Sequence, residues 1–229
     1  ECKYDAGGYF IINGSEKTVL GQERAAENRV YCYNISKNNT KYIWQAEIKS
    51  VPDFKCISPK QITMYVSSKN NGFGHSIYLQ IPRIKNPIPL FIVFRALGAN
   101  TDLEICNYIL LCVDQDTRIN CDVLKASIIE ANDIRTKEQA IQYINQHAMY
   151  TPMNMEKEEG ARKKLEFTTG VIENDLFPHC YNTKQKTYFL GYMTHRILEC
   201  FVGLKPQDDR DSYVNKRIDL TGSLLNNLF

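Results

Sequence analysis

Short metal-ligand pairs, phosphate-binding loops and membrane-length apolar runs are all missing from this sequence. The eight cysteines, at positions 2, 32, 56, 106, 112, 121, 180 and 200, contain no C-x-x-C pair. The four histidines (His75, His147, His179, His195) are scattered, and none stands in H-E-x-x-H spacing. His179 and Cys180 are neighbours in the chain, which points their side chains apart rather than onto one ion, so a zinc centre is not expected. Gly72-Phe73-Gly74 is too short for a phosphate loop and has no Walker A lysine behind it. No nucleophile, base and metal set converges, so no catalytic residue, metal or cofactor is expected and an independent hydrolase or nuclease is remote. There is no apolar run of spanning length, no secretory leader, no internal repeat and no low-complexity tract, so no membrane association is expected. A net charge of only +2 excludes a general polyanion binder and confines any nucleic-acid contact to a local patch.

What is present suits a packed intracellular domain. At 229 residues, 43% apolar with 14 Tyr and 10 Phe, the chain has material for one large core or two small ones. Cys106 and Cys112 fall in a helical apolar pattern, where a free thiol behaves as a small hydrophobe. Eight cysteines would make four disulfides by count, but a reducing compartment is the simpler reading. The sequons at Asn13, Asn34 and Asn38 would then go unused.

Strand signals dominate the first half. Tyr9 to Ile12 and Lys17 to Leu20 flank Asn13-Gly14, a pair that tolerates the positive φ a two-residue hairpin turn demands. Four further strands are expected over 28–34, 41–50, 61–67 and 76–81, with turns at Asn38-Asn39 and Asn70-Asn71-Gly72. Pro87-Ile88-Pro89 introduces Leu90 to Phe94, a continuous apolar run that reads as a strand buried on both faces. After Gly98 the period becomes helical. Leu103, Cys106, Ile109, Leu110 and Val113 share a face behind Thr101 or Asp102 as N-cap, and Leu124, Ile128 and Ala131 make a second stripe. Thr136 to Gln139 reads as a capping box opening a helix with Ala140, Ile141, Ile144 and Ala148 inward. Glu156 to Lys164 is charge-rich and expected outside. A long amphipathic helix over 187–202 carries Tyr188, Tyr192, Met193, Ile197, Cys200 and Phe201, and ends at Gly203 and Pro206. Strands gathered early and helices late predict an α+β fold: a mixed antiparallel sheet followed by a helical second half. Glu1 in place of Met and an apolar helix at 224–229 lead to the expectation of a piece of a longer polypeptide.

The densest mixture of charges lies at Gln207-Asp208-Asp209-Arg210-Asp211-Ser212-Tyr213-Val214-Asn215-Lys216-Arg217-Ile218-Asp219-Leu220-Thr221-Gly222. Pattern alone reads this segment as a solvated loop running into an amphipathic helix. It also resembles the Asp-Asp-Arg-Asp … Lys-Arg-x-Asp-x-x-Gly stretch of the second-largest subunit of multisubunit DNA-dependent RNA polymerases. Three collinear segments resemble the same subunit: Gly7-Gly8-Tyr9-Phe10-Ile11-Ile12-Asn13-Gly14-Ser15-Glu16-Lys17 followed by Gln22-Glu23-Arg24, then Ile92-Val93-Phe94-Arg95-Ala96-Leu97-Gly98, then Phe189-Leu190-Gly191-Tyr192-Met193. One departure stands out. Ser212-Tyr213-Val214-Asn215 replaces the family's His-Phe-Gly-Lys, which suggests a divergent lineage such as a large DNA virus or a protist.

The resemblance implies a lobe region (30–205), entered from the protrusion by a junction hairpin (1–29) and left by a return segment towards protrusion and fork (206–229). It implies a wall of the DNA cleft and a surface for initiation factors. The implied partners are the rest of the second-largest subunit, the largest subunit, template DNA and the DNA–RNA hybrid. The implied location is intracellular: the nucleus for a cellular enzyme, a cytoplasmic virus factory or virion for a viral one. Nucleotidyl transfer would belong to the assembled enzyme. Asp208, Asp209 and Asp211 have the donor type that suits Mg²⁺. The resemblance puts the catalytic aspartates in the largest subunit, however, and Arg210, Lys216 and Arg217 would neutralise the field. The acidic group is therefore read as a structural charge network (Asp208, Asp209, Arg210, Asp211) holding Lys216 and Arg217. Phosphate contact is assigned to Lys17, Lys216 and Arg217. Arg24 and Asn28 carry less weight, as does Arg95, read as a strand residue paired with a core carboxylate. The rival from another class is a scaffold that docks transcription factors and never touches nucleic acid.

Overall fold

The computed structural model describes residues 2–35, 41–53, 57–110, 121–151 and 156–229. Three short strands come first, β1 (Tyr9–Ile12), β2 (Ser15–Thr18) and β3 (Gln22–Ala25). Five more follow: β4 (Tyr31–Asn34), β5 (Tyr42–Ser50), β6 (Lys60–Asn70), β7 (His75–Gln80) and the two-residue β8 (Ile88–Pro89). Helices then take over as α1 (Leu90–Leu97), α2 (Asp102–Leu110), α3 (Lys125–Glu130), α4 (Lys137–Gln146), α5 (Lys157–Gly170) and α6 (Thr183–Val202). The chain closes with β9 (Lys216–Asp219) and α7 (Thr221–Leu228). This is the α+β class that the pattern predicts. Val113, Cys112, Cys56 and the Asn38-Asn39 turn lie outside the described residues.

The chain divides into two compact units, Glu27–Asp208 and the pairing of Glu1–Ala26 with Asp209–Phe229. In the larger unit β4 to β8 form one antiparallel sheet in chain order. Period-2 alternation sends Ala46, Ile48, Ile62, Met64, Val66, Ile77 and Leu79 to one face, where all are at most 1% exposed. The cross-strand pairs Gln45↔Tyr65 and Glu47↔Thr63 fall on the other face. A register shift between Tyr42 and Trp44 lets Tyr42 stack on Tyr65, ring centroids 4.5 Å apart.

The run from Leu90 is a helix and not the strand expected for it. All eight residues of α1 are buried. A run apolar on every side has no period to read, and buried strand and buried helix look alike in it. The punctuation decides: Pro89 stands at the N-cap, and Gly98 takes φ 103 to close a C-cap, its N–H and that of Ala99 donating to Arg95 O and Phe94 O. Arg95 is accordingly a helix residue. Its guanidinium donates to the carbonyls of Ala131 and Ile134 and to the Asp102 carboxylate, a partly exposed group rather than a core one.

Helices α2, α3, α4 and α6 pack on α1, and α5 packs on α4. Thr101 Oγ1 accepts the Glu104 N–H at 3.2 Å and starts α2, whose buried stripe is Ile105, Cys106, Ile109 and Leu110. Leu103, expected inward, lies to one side of that stripe and is exposed. Both halves of the Thr136–Gln139 capping box form at the start of α4. On α6 the buried face carries Leu190, Met193, Thr194, Ile197, Leu198 and Cys200, while Tyr188 and Tyr192 are about half exposed, 49% and 43%. At Gly191 α6 lies close against the backbone of α2: a Cβ there would fall 2.8 Å from the Tyr108 carbonyl carbon and nearer still to its oxygen.

Between α5 and α6 the chain passes through a π-helical turn, Val171–Asp175, closed by Leu176 N–H donating to Val171 O at 3.0 Å. Lys186 is 5% exposed, and its ammonium donates to the turn's carbonyls, Ile172 O at 3.1 Å and Glu173 O at 2.5 Å. Burial lowers its pKa. Asp175 is held by Lys60 at 3.1 Å and Arg83 at 3.3 Å. Cys2, Cys32, Cys106, Cys121, Cys180 and Cys200 are free thiols, and no helix among the described residues is long and apolar enough to cross a membrane.

Candidate nucleic-acid interface

The sequence-derived cations fall in the smaller unit, on two strand pairs. Asn13 and Gly14 both take positive φ, 51 and 76, so β1 and β2 close through the two-residue turn their sequence predicts. The register sets Phe10 opposite Lys17 and Ile11 opposite Glu16. Lys17 is exposed, and its ammonium has no hydrogen-bond or ion-pair partner among the described residues. The base of the hairpin is pinned at Gly8, where any Cβ would meet Thr221 Cγ2 at 2.7 Å, and Thr221 Oγ1 donates to Gly7 O at 3.3 Å.

The second pair is one the sequence reading did not foresee. The 206–222 segment does not run from loop straight into helix: its strand β9 pairs antiparallel with β3, setting Arg24 opposite Arg217 and Ala25 opposite Lys216. Two diagonal ion pairs cross the ladder, Arg24 Nε to Asp219 Oδ2 at 2.8 Å and Lys216 Nζ to Glu23 Oε1 at 2.9 Å. The Glu23 carboxylate raises the Lys216 pKa through this bond, with a smaller contribution from Asp211. Arg217 is exposed, and its Nη1 donates to nearby backbone, to Lys216 O at 2.7 Å and Val214 O at 3.5 Å, with no carboxylate partner among the described residues. Of the three, Lys17 and Arg217 thus have no carboxylate partner among the described residues, whereas Lys216 is paired with Glu23.

The acidic run does not bond these cations. Asp208 belongs to the larger unit, where its Oδ2 accepts the Cys32 N–H at 2.8 Å and its Oδ1 pairs with Arg196 at 3.4 Å. Asp209 Oδ1 accepts the Asp211 N–H at 2.9 Å, and its carbonyl accepts from Asn215 Nδ2 at 2.7 Å, which shapes the turn into β9. Asp211 acts on Lys216 only at longer range. The network expected to hold Lys216 and Arg217 is therefore replaced by Glu23 and by backbone carbonyls. Glu23 and Asp219 were the residues missed. Their signal was the mirrored charge order Glu23-Arg24 and Arg217 to Asp219, legible only once β3 and β9 are known to pair. Among the described residues no three His, Cys, Asp or Glu side chains gather as a metal set.

The fold is thus an α+β one in which two strand pairs of the smaller unit carry the sequence-derived cations. The model of the family RNA polymerase Rpb2, domain 2 matches residues 26–219, and the chain belongs to this family. It is 37% identical over its whole length to DNA-directed RNA polymerase II subunit 2 of Arabidopsis thaliana, covering 19% of that protein. It is similarly 37% identical to subunit RPB2 of Schizosaccharomyces pombe, again over 19% of the relative. DNA-directed RNA polymerase subunit 2 of Acanthamoeba polyphaga mimivirus matches the whole chain at 31% identity over 20% of its length. The chain therefore spans a minor part of the curated relatives it matches.

Proposed function

We propose that this chain is a non-catalytic module of the second-largest subunit of a DNA-directed RNA polymerase, forming part of the wall of the DNA cleft and a docking surface in transcription. Its partners are then the remainder of that subunit, the largest subunit, template DNA with the DNA–RNA hybrid, and initiation factors. It acts inside the cell, in the reducing environment that the free thiols of all six described cysteines suit.

The observation that carries the nucleic-acid half is Lys17: an exposed, unpaired ammonium held on a hairpin whose turn is sterically specified. A cation fixed on a rigid strand neutralises a phosphate without reading sequence, which is the contact a transcribing enzyme needs. Arg217 is the second candidate. Lys216 contributes less, because a phosphate must compete with Glu23. In a polymerase carrying Lys17→Ala, elongation-complex stability should fall, and the salt slope should shrink by about one unit, one phosphate contact. An unchanged slope with unchanged stability refutes the assignment. The scaffold reading, docking without nucleic-acid contact, draws on the low net charge of +2. Titrating the chain with duplex and single-stranded DNA at low salt separates the two.

A further inference from the structure

The larger unit carries an open groove of about 480 Å³ that the nucleic-acid reading does not use. Its rim is aromatic: Tyr181, in the turn before α6, and Tyr188 and Tyr192, one helical turn apart on α6, are 64%, 49% and 43% exposed. Its floor is Phe189 with His179 and Cys180. The rings are pre-set. Tyr188 meets Tyr108 edge-on at 4.9 Å, and Phe189 meets Phe177 at 5.0 Å and His179 at 4.4 Å. Ser50 Oγ holds His179 Nδ1 at 2.6 Å.

Two properties narrow the occupant. None of the lining residues is an acid, lysine or arginine, so neither a phosphate backbone nor a strongly charged helix is complemented. The unused polar groups at the rim can donate. The three tyrosine hydroxyls have no partner among the described residues. Gln185 spends its Oε1 on the N–H groups of Tyr181 and Asn182, at 2.9 and 3.2 Å, which leaves its amide N–H₂ group free. Donors beside rigid rings call for flat apolar groups on a backbone whose carbonyls are unbonded. An α-helix has spent its carbonyls internally, whereas a polyproline II segment has none of its own hydrogen bonds.

We propose that the groove formed by Tyr181, Tyr188, Tyr192 and Phe189 docks an uncharged, proline-rich peptide segment in polyproline II conformation, rings against prolines and donors to its carbonyls. This extends the docking half of the proposed function and is independent of the nucleic-acid half. The test is fluorescence anisotropy of a short labelled proline-rich neutral peptide against the chain, beside a Gly/Ser peptide of equal length and an oligothymidylate. Saturable binding of the first alone is expected, little changed between roughly 50 and 200 mM salt, where phosphate binding falls steeply. Tyr181→Ala, outside α6, and Tyr188→Ala with Tyr192→Ala should each weaken it by about tenfold or more. Their unfolding midpoints show whether the fold is kept. Failure to saturate, equal binding of the Gly/Ser peptide, preference for the oligothymidylate, or full affinity in folded Tyr181→Ala each overturns the proposal. The Lys17→Ala salt slope tests the nucleic-acid half separately, so either half can fail alone.

Discussion

Replacing Gly191 by alanine pits two effects of opposite sign against each other. In an unobstructed helix the change would gain about 0.5–1 kcal/mol, since glycine has the larger conformational entropy to lose. Here the new methyl would sit 2.8 Å from the carbonyl carbon of Tyr108, closer still to its oxygen, and 3.3 Å from its Cβ. The obstacle is backbone within α2, which cannot rotate aside. Carbon atoms pack at roughly 3.5–4.0 Å, so the two helices must part by about 1 Å along their crossing. Overpacking of this kind costs about 1–3 kcal/mol, with rigid backbone at the upper end. Sterics therefore win, and a net loss of about 2 kcal/mol is expected, a fall in Tm of about 4–8 °C for a chain of this size. Equilibrium urea unfolding measures it, with an unchanged slope showing that the unfolded state is unaffected. Gly170→Ala is the built-in comparison: it has helical φ −61 and nothing within 4 Å of its Cβ position, so it should stabilise. If Gly191→Ala proves as stable as the parent chain, the close α2–α6 crossing is wrong. The Tyr108–Tyr188 contact that props the aromatic groove falls with it.

Two further outcomes follow from buried groups. Lys186→Met keeps the side-chain volume but strips Ile172 O and Glu173 O of their donor, so the chain should lose roughly 2–4 kcal/mol by urea unfolding. No loss would mean that the π-helical turn does not need its cap. Burial holds the His179 pKa below its ordinary value, against the opposing pull of Asp53 and with the Lys186 ammonium adding to the depression. The unfolded chain then binds the proton more tightly, so stability should decline as pH falls through the unfolded value of about 6.5 towards the folded one. His179→Gln should lack this part of the decline in urea midpoints measured across that range, and parallel pH profiles would refute it.

Local chemistry made much of the fold legible. The Asn13-Gly14 turn, the Thr136–Gln139 capping box and the alternation through β5, β6 and β7 each depend on neighbours a few residues away, and each forms as expected. The misreadings share a cause. Leu90 to Phe94 is a continuous apolar run, so its period is silent and only Pro89 and Gly98 mark the ends of a helix. On α6 the amphipathic pattern groups Tyr188 and Tyr192 with Met193, Ile197 and Cys200, because a phenol ring is apolar by composition, yet they flank the buried face. At the candidate interface the sequence singled out Lys17, Lys216 and Arg217 but not the group that distinguishes them.

What the sequence determined by itself was local conformation and family membership, because turns, caps and collinear motifs are properties of adjacent residues. Which charges are free was decided only by tertiary structure. Glu23 neutralises Lys216 across a strand pairing that joins residues nearly the whole chain apart, and in that same pairing Arg217 has no carboxylate partner among the described residues. Asp208, next in sequence to Asp209, is bonded in a different compact unit. A charge is worth what stands within a few ångströms of it, and those neighbours are set by the fold.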